Sequence, residues 1–462
     1  MNAPSHTLDK KSKYYLFVAF VAAFAGILFG YDTGVISESL PFLVQQFHLT
    51  PFTKGVTVSA VLAGALVGAI FSGRLADKYG RKNMLIIDSV IFAVGTLAST
   101  LSYGLTTFCI SRVVVGIAIG ISSYIGPLYI SEISPVKYRG ALVSLNQLAI
   151  SIGIFISYLI GYAFAAHGAW RWMFGIGIIP AILLLFGMII LPYSPRWMMA
   201  QGLEQKALAI LNKIHGRTQA IQNEFELIKS SLKQEKGSWK MLFSKMIRPT
   251  LLIGSGLAFL QQVTGINTIL YYATTIFTMA GFHSIHSAIF ANIIVGGVFV
   301  IFSIVALAFI DTIGRRPLLF IGLSVMSVSL LGMSYAFHLP VGTKIIPYIS
   351  LTSMLFFVAG FAVSLGPIMW LMISEIFPLK VRGRGSSLST CVNWGSNLLV
   401  ALTLPLLFAH IGRSNTFMIY FFISLGSLAF VYFFVPETKG ISLEKIEENV
   451  YAGKAPRFIG DH

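Results

Sequence analysis

Long apolar segments alternate with short polar ones along almost the whole chain. A helix needs roughly 20 mainly apolar residues to cross about 30 Å of hydrocarbon. Twelve segments come near this length, at approximately residues 14–37, 55–73, 84–103, 107–130, 141–165, 170–191, 249–279, 285–310, 318–337, 346–374, 385–410 and 415–435. The pattern predicts an all-α membrane protein with twelve transmembrane helices.

The polar segments divide the chain further. The one long polar stretch, 192–248, has Glu, Lys and Gln at helical spacing, which predicts short amphipathic helices at the membrane surface. Lys10, Lys11 and Lys13 precede the first apolar run as in a signal peptide, but this run is too long and favours a spanning helix. We therefore expect an N-terminal segment at 1–13, a six-helix half at 14–191, a cytoplasmic linker at 192–248, a second half at 249–435 and a C-terminal tail at 436–462.

Composition and charge agree with a membrane protein. Charged residues make up only 11% of the chain, whereas a soluble domain has about 25%. Of the 33 lysines and arginines, 28 lie in segments on the side of the N-terminus, and only Lys54, Arg171, Lys344 and Arg413 lie opposite, with Arg112 inside a span. This bias predicts that both termini are cytoplasmic. The net charge of +16 is then explained by topology, and no nucleic acid partner is expected.

Three motif pairs recur in the same order, each six spans apart. They are Asp77-x-x-Gly80-Arg81 with Asp311-x-x-Gly314-Arg315, Ser131-Glu132-Ile133 through Arg139-Gly140 with Ser374-Glu375-Ile376 through Arg382-Gly383, and the runs that begin at Pro192 and Pro436. The recurrence indicates a parallel duplication of two six-helix halves. Membrane carriers built in this way hold their substrate between the halves, near the middle of the membrane.

The repeated motifs also place carboxylates and guanidinium groups together at the cytoplasmic face. The members of this charge network are Asp77, Arg81, Glu132 and Arg139 in the first half, and Asp311, Arg315, Glu375 and Arg382 in the second. Pairs formed across the halves would close the inner side in one state and break in the other. The alternative is ordinary surface pairs worth about 0–1 kcal/mol each. Repetition of the pattern in both halves favours a gating role.

The chain resembles the sugar porters of the major facilitator superfamily from about Phe17 to Leu443. The matching runs are Gly73-Arg74-Leu75-Ala76-Asp77-Lys78-Tyr79-Gly80-Arg81-Lys82, Glu132 to Arg139, Gln261-Gln262-Val263-Thr264-Gly265-Ile266-Asn267, Gly314-Arg315-Arg316 and Pro436-Glu437-Thr438-Lys439-Gly440. The first marks only the superfamily, whereas the Gln-Gln and Pro-Glu-Thr-Lys-Gly runs are specific to sugar porters. The resemblance implies the major facilitator fold and transport of a monosaccharide by alternating access. In one departure, Tyr193 replaces the glutamate of the family's Pro-Glu-Ser-Pro-Arg run after span six.

A sugar presents hydroxyl groups all round its ring, so its site needs neutral amides, which donate and accept, and aromatic faces. By motif, the family's sugar contacts fall on Gln147, Gln261, Gln262, Asn267, Trp370, Asn393, Trp394 and Asn397. The alternative for each amide is a hydrogen bond that holds two helices together, and for Trp394 core packing. Hexose transporters that resemble this chain have isoleucine at the position of Ile154, where xylose permeases have glutamine, and Asn393 also matches the hexose group.

Helix-breaking residues accompany the candidate sugar contacts. Tyr271 and Tyr272 follow Gly265 on span seven, and Gly366-Pro367 precedes Trp370 on span ten. Breaks of this kind are tolerated where backbone lines a cavity. We expect both helices to hinge and to gate the site, with the outer part of span seven closing over bound sugar as the resemblance implies.

Asp32 and Arg112 are the candidate proton-coupling pair. Each is placed about five residues from the outer end of its span, so both are expected roughly 7–8 Å below the same surface. Opposite charges at one depth in lipid indicate an ion pair. It could be a static pair that fixes packing, or a switch in which Asp32 takes up a proton and releases Arg112. Proton-coupled permeases that resemble this chain have aspartate here, and passive carriers have asparagine.

The sequence leaves alternatives to a proton-coupled symporter. One is a passive sugar uniporter of the same fold, and a more remote one is a sugar sensor, which would usually carry a longer cytoplasmic tail. An enzyme is the least favoured class, and no cofactor or metal is expected. A monomer in the cell membrane is expected, and Cys109 and Cys391 are read as buried thiols rather than a disulfide. Asp88 is expected to reach the cytoplasmic interface or to pair with Lys82 or Arg81.

Overall fold

The computed structural model describes residues 14–135, 139–215, 222, 225, 226, 228–230 and 238–461. Helices dominate these residues. The first half comprises α1 (Tyr14–Phe47), α2 (Pro51–Tyr79), α3 (Arg81–Thr100), α4 (Leu105–Ile133), α5 (Arg139–Ala165), α6 (Trp170–Gly175) and α7 (Ile178–Ile190). Three short helices follow, α8 (Pro195–Ala200), α9 (Glu204–His215) and α10 (Trp239–Leu242). The second half comprises α11 (Arg248–Val263), α12 (Ile266–Met279), α13 (Ile285–Ile313), α14 (Arg315–His338), α15 (Ile346–Val363), α16 (Leu365–Ile376), α17 (Arg382–His410) and α18 (Arg413–Phe434), and α19 (Leu443–Tyr451) lies in the tail.

Eleven segments of the described chain are long and apolar enough to cross a membrane. The remaining span of the predicted twelve is the seventh, which is divided into α11 and α12. Gly265 adopts a left-handed φ of 97° between them, a conformation that glycine reaches without strain. Neither piece alone has the length of a membrane span, and the two together occupy the place of the predicted seventh span.

The tenth span bends in the same way between α15 and α16. Pro367 has no N–H to donate to the carbonyl of Val363, the residue at which α15 ends. Ser364 takes a non-helical conformation, with φ −123° and ψ −103°. The two helix breaks predicted from glycine and proline are therefore present, and both lie deep within the second half.

The first helix is longer than the sequence predicts. The apolar run was expected to end near residue 37, but α1 continues to Phe47. Ser37, Glu38 and Ser39 look like the end of a span because they are polar, yet all three are fully buried inside the protein. Hydropathy cannot distinguish a polar side chain that faces water from one that faces a neighbouring helix.

Glycines allow the helices of the first half to pack closely. A Cβ atom at Gly64 would overlap the backbone of Val113, so α2 and α4 touch through main chain. The same holds for Gly30 of α1 against Ile150 of α5. Small residues at such crossings are typical of membrane helices, where association depends on close van der Waals packing. These crossings fix where α1 and α4 hold their buried charges.

The bundle has two ends, which we name for later use. The terminal end carries Tyr14 and the tail helix α19, and the far end carries Phe47 and Pro51. The two halves meet closely at the far end. There a Cβ atom at Gly55 of α2 would lie only 3.2 Å from the carbonyl carbon of Leu402 on α17, and the rings of Tyr162 and His286 lie 4.0 Å apart. This conformation is therefore sealed at the far end.

Candidate functional site

A cluster of neutral amides lies at the break in the seventh span. Gln261 and Gln262 occupy the last turn of α11, and Asn267 the first turn of α12. Gln262 Nε2 donates to Gln261 Oε1 at 3.1 Å, and Asn267 Nδ2 donates to Gln262 Oε1 at 2.5 Å. Asn393 of α17 completes the cluster. All four side chains are buried.

Asn393 connects α17 to both glutamines. Its Nδ2 donates to Gln261 Oε1 at 2.8 Å and to the carbonyl of Ala258 at 3.0 Å, and its Oδ1 accepts from Gln262 Nε2 at 3.1 Å. Four amides thus satisfy one another without a formal charge. Such a set can exchange these mutual hydrogen bonds for the hydroxyl groups of a neutral polyol.

The amide cluster also contacts the break in the tenth span. Gln261 Nε2 donates to the carbonyl of Leu365 at 2.8 Å and to that of Gly366 at 3.2 Å. The amide cluster is thereby tied to α16, which also carries Trp370 at a half-buried position. A rearrangement of the amide side chains therefore changes hydrogen bonds to the backbone at the break in the tenth span.

Two further side chains of α17 each have a buried polar atom without a hydrogen-bond partner in the described structure. Asn397 Nδ2 donates to the Tyr271 hydroxyl at 3.1 Å, while its Oδ1 has no partner in the described structure. Trp394 is buried with its ring 5.4 Å from that of Phe29 on α1, and its Nε1 likewise lacks a partner there. Buried polar atoms are nearly always satisfied, so these two atoms mark positions where a bound ligand would form hydrogen bonds.

A buried ion pair joins α1 to α4. Arg112 donates from Nη1 to Asp32 Oδ1 at 2.5 Å and from Nη2 to Oδ2 at 2.7 Å, a bidentate arrangement. The side chains are only 1% and 6% exposed. The Phe174 ring lies 5.1 Å from the guanidinium carbon, which gives a cation–π contact. The two charges that the sequence placed at one depth do meet.

The depth itself differs from the prediction. Because α1 runs to Phe47, Asp32 lies 15 residues from the far end of its helix instead of five. At about 1.5 Å per residue this is roughly 22 Å along α1. Arg112 lies seven residues from the start of α4. The pair is therefore central in α1, and the depth argument gave the right partners from a wrong helix boundary.

One small cavity connects the ion pair to the second half. Asp32, Thr33 and Phe29 line it from α1, and Tyr271 and Trp394 line it from α12 and α17. The titratable group of the first half and the aromatic side chains of the second half thus face the same space. A group bound there would contact both.

The other predicted contacts lie around this centre. Gln147 is half-buried on α5, and Ile154 is buried on the face of α5 that approaches Gly34 of α1. Tyr272 is buried and donates from its hydroxyl to the carbonyl of Ala401 at 2.7 Å, which holds α12 against α17. Of the predicted substrate contacts, the four amides Gln261, Gln262, Asn267 and Asn393 are thus the ones brought into direct mutual contact.

The charge network at the terminal end forms inside each half. Glu132 lies 3.0 Å from Arg81 Nε and accepts from Ser194, and Arg81 is 3.3 Å from Asp77. The Arg139 side chain lies outside the described residues. For Glu132, the predicted pairing across the halves is not what this conformation shows.

The second half repeats the arrangement. Arg315 lies 2.9 Å from Glu375 and 3.0 Å from Asp311, and Thr438 donates to Glu375. Arg382 donates instead to the carbonyl of Phe377 at 3.1 Å. Glu375 therefore also pairs within its own half, with Arg315 rather than with Arg382.

Sequence reasoning missed one buried acid and misplaced another. Glu38 of α1 is completely buried, although Asp32 was the one acid of this helix singled out from the sequence. Asp88 is also completely buried, and neither carboxylate oxygen has a partner in the described structure. Lys82 donates to backbone carbonyls and Arg81 binds Glu132, so the expected pairing of Asp88 was wrong. The signal for Glu38 was its polar neighbours, which were read as a helix end.

Comparison with known proteins defines the class. The model of the family described as "Sugar (and other) transporter" matches residues 18–450. The chain therefore belongs to this family, adopts the major facilitator fold and is a multi-pass membrane transporter rather than an enzyme.

Particular relatives lie within this class. The chain is 39% identical to the galactose-proton symporter of Escherichia coli K12 over 447 residues, which cover 96% of each protein. It is 41% identical to the D-xylose transporter of Levilactobacillus brevis over 438 residues, which cover 94% of this chain and 96% of that protein.

Solved structures of XylE, the xylose transporter of E. coli, share the fold. A partially occluded inward-open conformation superposes with a TM-score of 0.83 at 32% identity, covering 93% of this chain and 100% of XylE. XylE, a proton:xylose symporter, bound to 6-bromo-6-deoxy-D-glucose gives a TM-score of 0.82 at 33% identity, with coverage of 95% and 99%. The pieces of the broken seventh and tenth spans thus sit in an established transporter architecture.

Proposed function

We propose that the protein is a proton-coupled monosaccharide symporter that imports sugar by alternating access. The observation that carries the proposal is the bidentate Asp32–Arg112 pair, which shares a cavity with Tyr271 and Trp394. Burying a charged pair in a membrane protein costs free energy, so such a pair usually marks a functional site. The amide cluster supplies the neutral donors and acceptors that a sugar requires.

The mechanism follows from the chemistry of the pair. A proton taken up by Asp32 removes its negative charge and releases Arg112 from its bidentate contact. Sugar bound at the amides exchanges their mutual hydrogen bonds for its hydroxyl groups, which affects α16 through Gln261. The proton acts at the cavity that Asp32 lines, and the sugar acts at the amides on α12 and α17, the helices that carry Tyr271 and Trp394 to the same cavity. The doubly loaded carrier then reorients, whereas the singly loaded one is held.

The decisive experiment replaces Asp32 by asparagine in proteoliposomes. Asp32→Asn keeps the shape but cannot exchange a proton, so we expect loss of uphill accumulation driven by a proton gradient, with sugar counterflow retained. Asp461→Asn, at an exposed position of the tail, is the matched control and should behave as wild type. Uphill accumulation by Asp32→Asn would overturn the symport mechanism. A wild-type protein that equilibrates sugar without accumulating it would establish the passive uniporter instead.

We propose a hexose as the substrate, on the basis of Ile154 and Asn393. The relatives include both galactose and xylose transporters, so similarity alone does not choose. Competition of glucose, galactose, xylose and arabinose against a labelled sugar gives the order of preference. Ile154→Gln should move the preference towards xylose, whereas Ile160→Gln, six residues further along α5, should leave it unchanged. A wild-type protein that prefers xylose would contradict the hexose assignment.

We propose that both termini are cytoplasmic and that the protein acts as a monomer in the cell membrane. The distribution of lysine and arginine supports this orientation. Gly342, in the exposed loop between α14 and α15, then faces the outside. A Gly342→Cys variant should react with a membrane-impermeant maleimide in intact cells, and Gly202→Cys, in the exposed loop after α8, should react only after lysis. The reverse pattern would overturn the orientation.

A further inference from the structure

Glu38 lies at the junction of the two halves, six residues after Asp32 on α1. Its Oε1 accepts from Asn292 Nδ2 of α13 at 2.8 Å, and its Oε2 lies 3.3 Å from Thr274 Oγ1 of α12. Asn292 Nδ2 also donates to Thr274 Oγ1 at 2.7 Å. One carboxyl group of the first half is therefore hydrogen-bonded to two helices of the second half.

The neighbouring residue strengthens this connection. Ser37 Oγ accepts from the backbone N–H of Thr274 at 3.2 Å and lies 3.3 Å from its hydroxyl oxygen. Gly161 of α5 makes room for the glutamate, because a Cβ atom there would lie 2.6 Å from Glu38 Cγ. The side chain is thus enclosed by α1, α5, α12 and α13, and it is fully buried.

The groups that face Glu38 are neutral. α12 and α13 present Thr274 and Asn292, and the titratable group of α5 is the hydroxyl of Tyr158, which has no hydrogen-bond partner in the described structure. Two charged or titratable side chains of neighbouring helices are engaged elsewhere. Arg112 of α4 binds Asp32, and the ring of His286 of α13 contacts that of Tyr162 of α5 at an angle of 40°.

Glu38 and Asp32 therefore differ in the charge of their partners. A carboxylate buried with an arginine can remain ionised, whereas one buried among neutral partners is favoured as the protonated acid. An ionised Glu38 would accept from both Thr274 and Asn292. A protonated Glu38 can instead donate from Oε2 to the Thr274 hydroxyl while Oε1 still accepts from Asn292, so the same geometry accommodates the neutral form. An ionised Glu38 would have to bring a bare charge into this dry junction.

We propose that Glu38 is a second proton-binding group, a latch that closes the far end only when it is protonated. Opening of the far end separates α12 and α13 from α1 and α5 and exposes the carboxyl group to external water. It then ionises, and closing requires a proton from the same side. Glu38 takes up and releases its proton on the external side only. It therefore sets the rate at which the far end closes and leaves the proton-to-sugar ratio of transport unchanged.

The inference rests on alternating access and on the proposed orientation, but not on the role of Asp32. It is therefore tested in an Asp32→Asn background, where counterflow carries no coupled proton. In right-side-out vesicles, counterflow of Asp32→Asn should fall as external pH rises from about 5 to about 9, by at most about tenfold per pH unit for a single proton. The Asp32→Asn/Glu38→Gln double variant should show a flat profile, because glutamine keeps the neutral hydrogen bonds.

Two outcomes would overturn the latch. One is a pH slope that is the same with and without Glu38→Gln, and the other is a flat profile already in Asp32→Asn. Persistent uphill accumulation by Asp32→Asn would contradict the proposed coupling role of Asp32 instead. The pH profiles of Asp32→Asn and of the double variant could still be compared to test Glu38. Glu448→Gln, at an exposed position of α19, is the control for removal of a carboxylate.

A second variant and a spectroscopic measurement cover the case in which Glu38→Gln does not fold. Thr274→Val removes one partner of the protonated acid with little change of shape, so the midpoint of the pH profile should move to lower pH. An unmoved midpoint would contradict the latch. The infrared difference spectrum of wild type minus Glu38→Gln should also show the C=O band of a buried carboxylic acid that shifts in D₂O. Identical spectra would mean that Glu38 is not protonated.

Discussion

The two halves are nearly alike at the terminal end and entirely different in the middle. In each half an arginine at the start of a helix binds a glutamate that also accepts from a hydroxyl group. The members are Arg81, Glu132 and Ser194 in the first half, and Arg315, Glu375 and Thr438 in the second. At the centre, by contrast, the first half carries a bidentate ion pair and the second a set of four neutral amides.

This contrast indicates that the terminal clusters and the central groups have different roles. The clusters at the terminal end hold helix ends in place, a task that is the same in both copies. The central groups do different chemistry, because an ion pair responds to a proton and neutral amides do not. In the proposed mechanism, sugar recognition is therefore independent of pH while reorientation depends on it. The two meet at the cavity that Asp32 shares with Tyr271 and Trp394.

The largest effect is expected from breaking the ion pair of the first half. Arg112→Leu leaves Asp32 buried without its cation, and such a change typically costs about 3–5 kcal/mol. Thermal unfolding in detergent should show a large drop in melting temperature, and Asp32→Asn/Arg112→Leu should recover much of it because no lone charge remains. If the single and double variants are equally unstable, the loss reflects packing rather than charge.

The amide cluster of the second half should give the next largest effect. Asn393→Leu keeps the volume but leaves Gln261 Oε1 and Gln262 Nε2 only their bond to each other, so sugar affinity should fall roughly 10–100-fold, about 1.4–2.8 kcal/mol. Binding measured by tryptophan fluorescence at two pH values should show the same loss at both.

Two further variants serve as controls for the loss of sugar affinity in Asn393→Leu. Asn415→Leu, at an exposed position of α18, should leave binding unchanged. Gln147→Leu in the first half should weaken binding less than Asn393→Leu does. An equal or larger loss at Gln147 would contradict the assignment of sugar recognition chiefly to the second half.

Asp88 offers a third test, because it is a buried acid of the first half without the partner that Asp32 has. Asp88→Leu removes a buried carboxyl group whose oxygens lack partners in the described residues, so stability should rise by about 1–3 kcal/mol. Thermal unfolding measures the gain, and Asp88→Asn should give a smaller one because it retains a buried polar group. Destabilisation by Asp88→Leu would show that the carboxyl group has a structural role that the described contacts do not reveal.

The sequence predicted those features that depend on average apolarity or on repeated motifs. The spans, the two breaks at Gly265 and Gly366-Pro367, and the amides around Asn267 all follow from local pattern. A sufficiently long apolar helix is typical of a membrane span, and a break in it is tolerated where the backbone is buried in protein or lines a cavity. These inferences need no knowledge of which helix is the neighbour.

The features that failed depend on that knowledge. Glu38 faces Thr274 and Asn292, which are more than 230 residues away in the chain. Asp88 points into the protein although Arg81 and Lys82 lie only about two turns before it in α3. Which face of a helix meets which partner is a tertiary property, so polar residues within a span were assigned to its end or to the nearest charge.

The smallest expected effect concerns the place where the two halves differ at the terminal end. Glu437 caps α14, since its carboxylate accepts from the backbone N–H of Arg315 at 3.1 Å and of Arg316 at 2.9 Å. Among the described residues, no side chain accepts in the same way from the backbone N–H groups of Arg81 and Lys82 in the matching helix α3, and the residue corresponding to the glutamate is Tyr193. Its hydroxyl donates to Asn83 at 3.3 Å.

Tyr193→Glu would give the first half the cap that the second half has. A carboxylate at a helix N-terminus typically adds about 0.3–1 kcal/mol, and the lost stacking of Tyr193 on Trp197 and the contact of its ring with Lys82 offset part of it. We expect a net gain below about 1 kcal/mol in thermal unfolding, and Glu437→Gln should cost a similar amount. If Tyr193→Glu is clearly destabilising while Glu437→Gln also costs stability, the aromatic stack has replaced the cap, and the two terminal clusters are different solutions to the same problem.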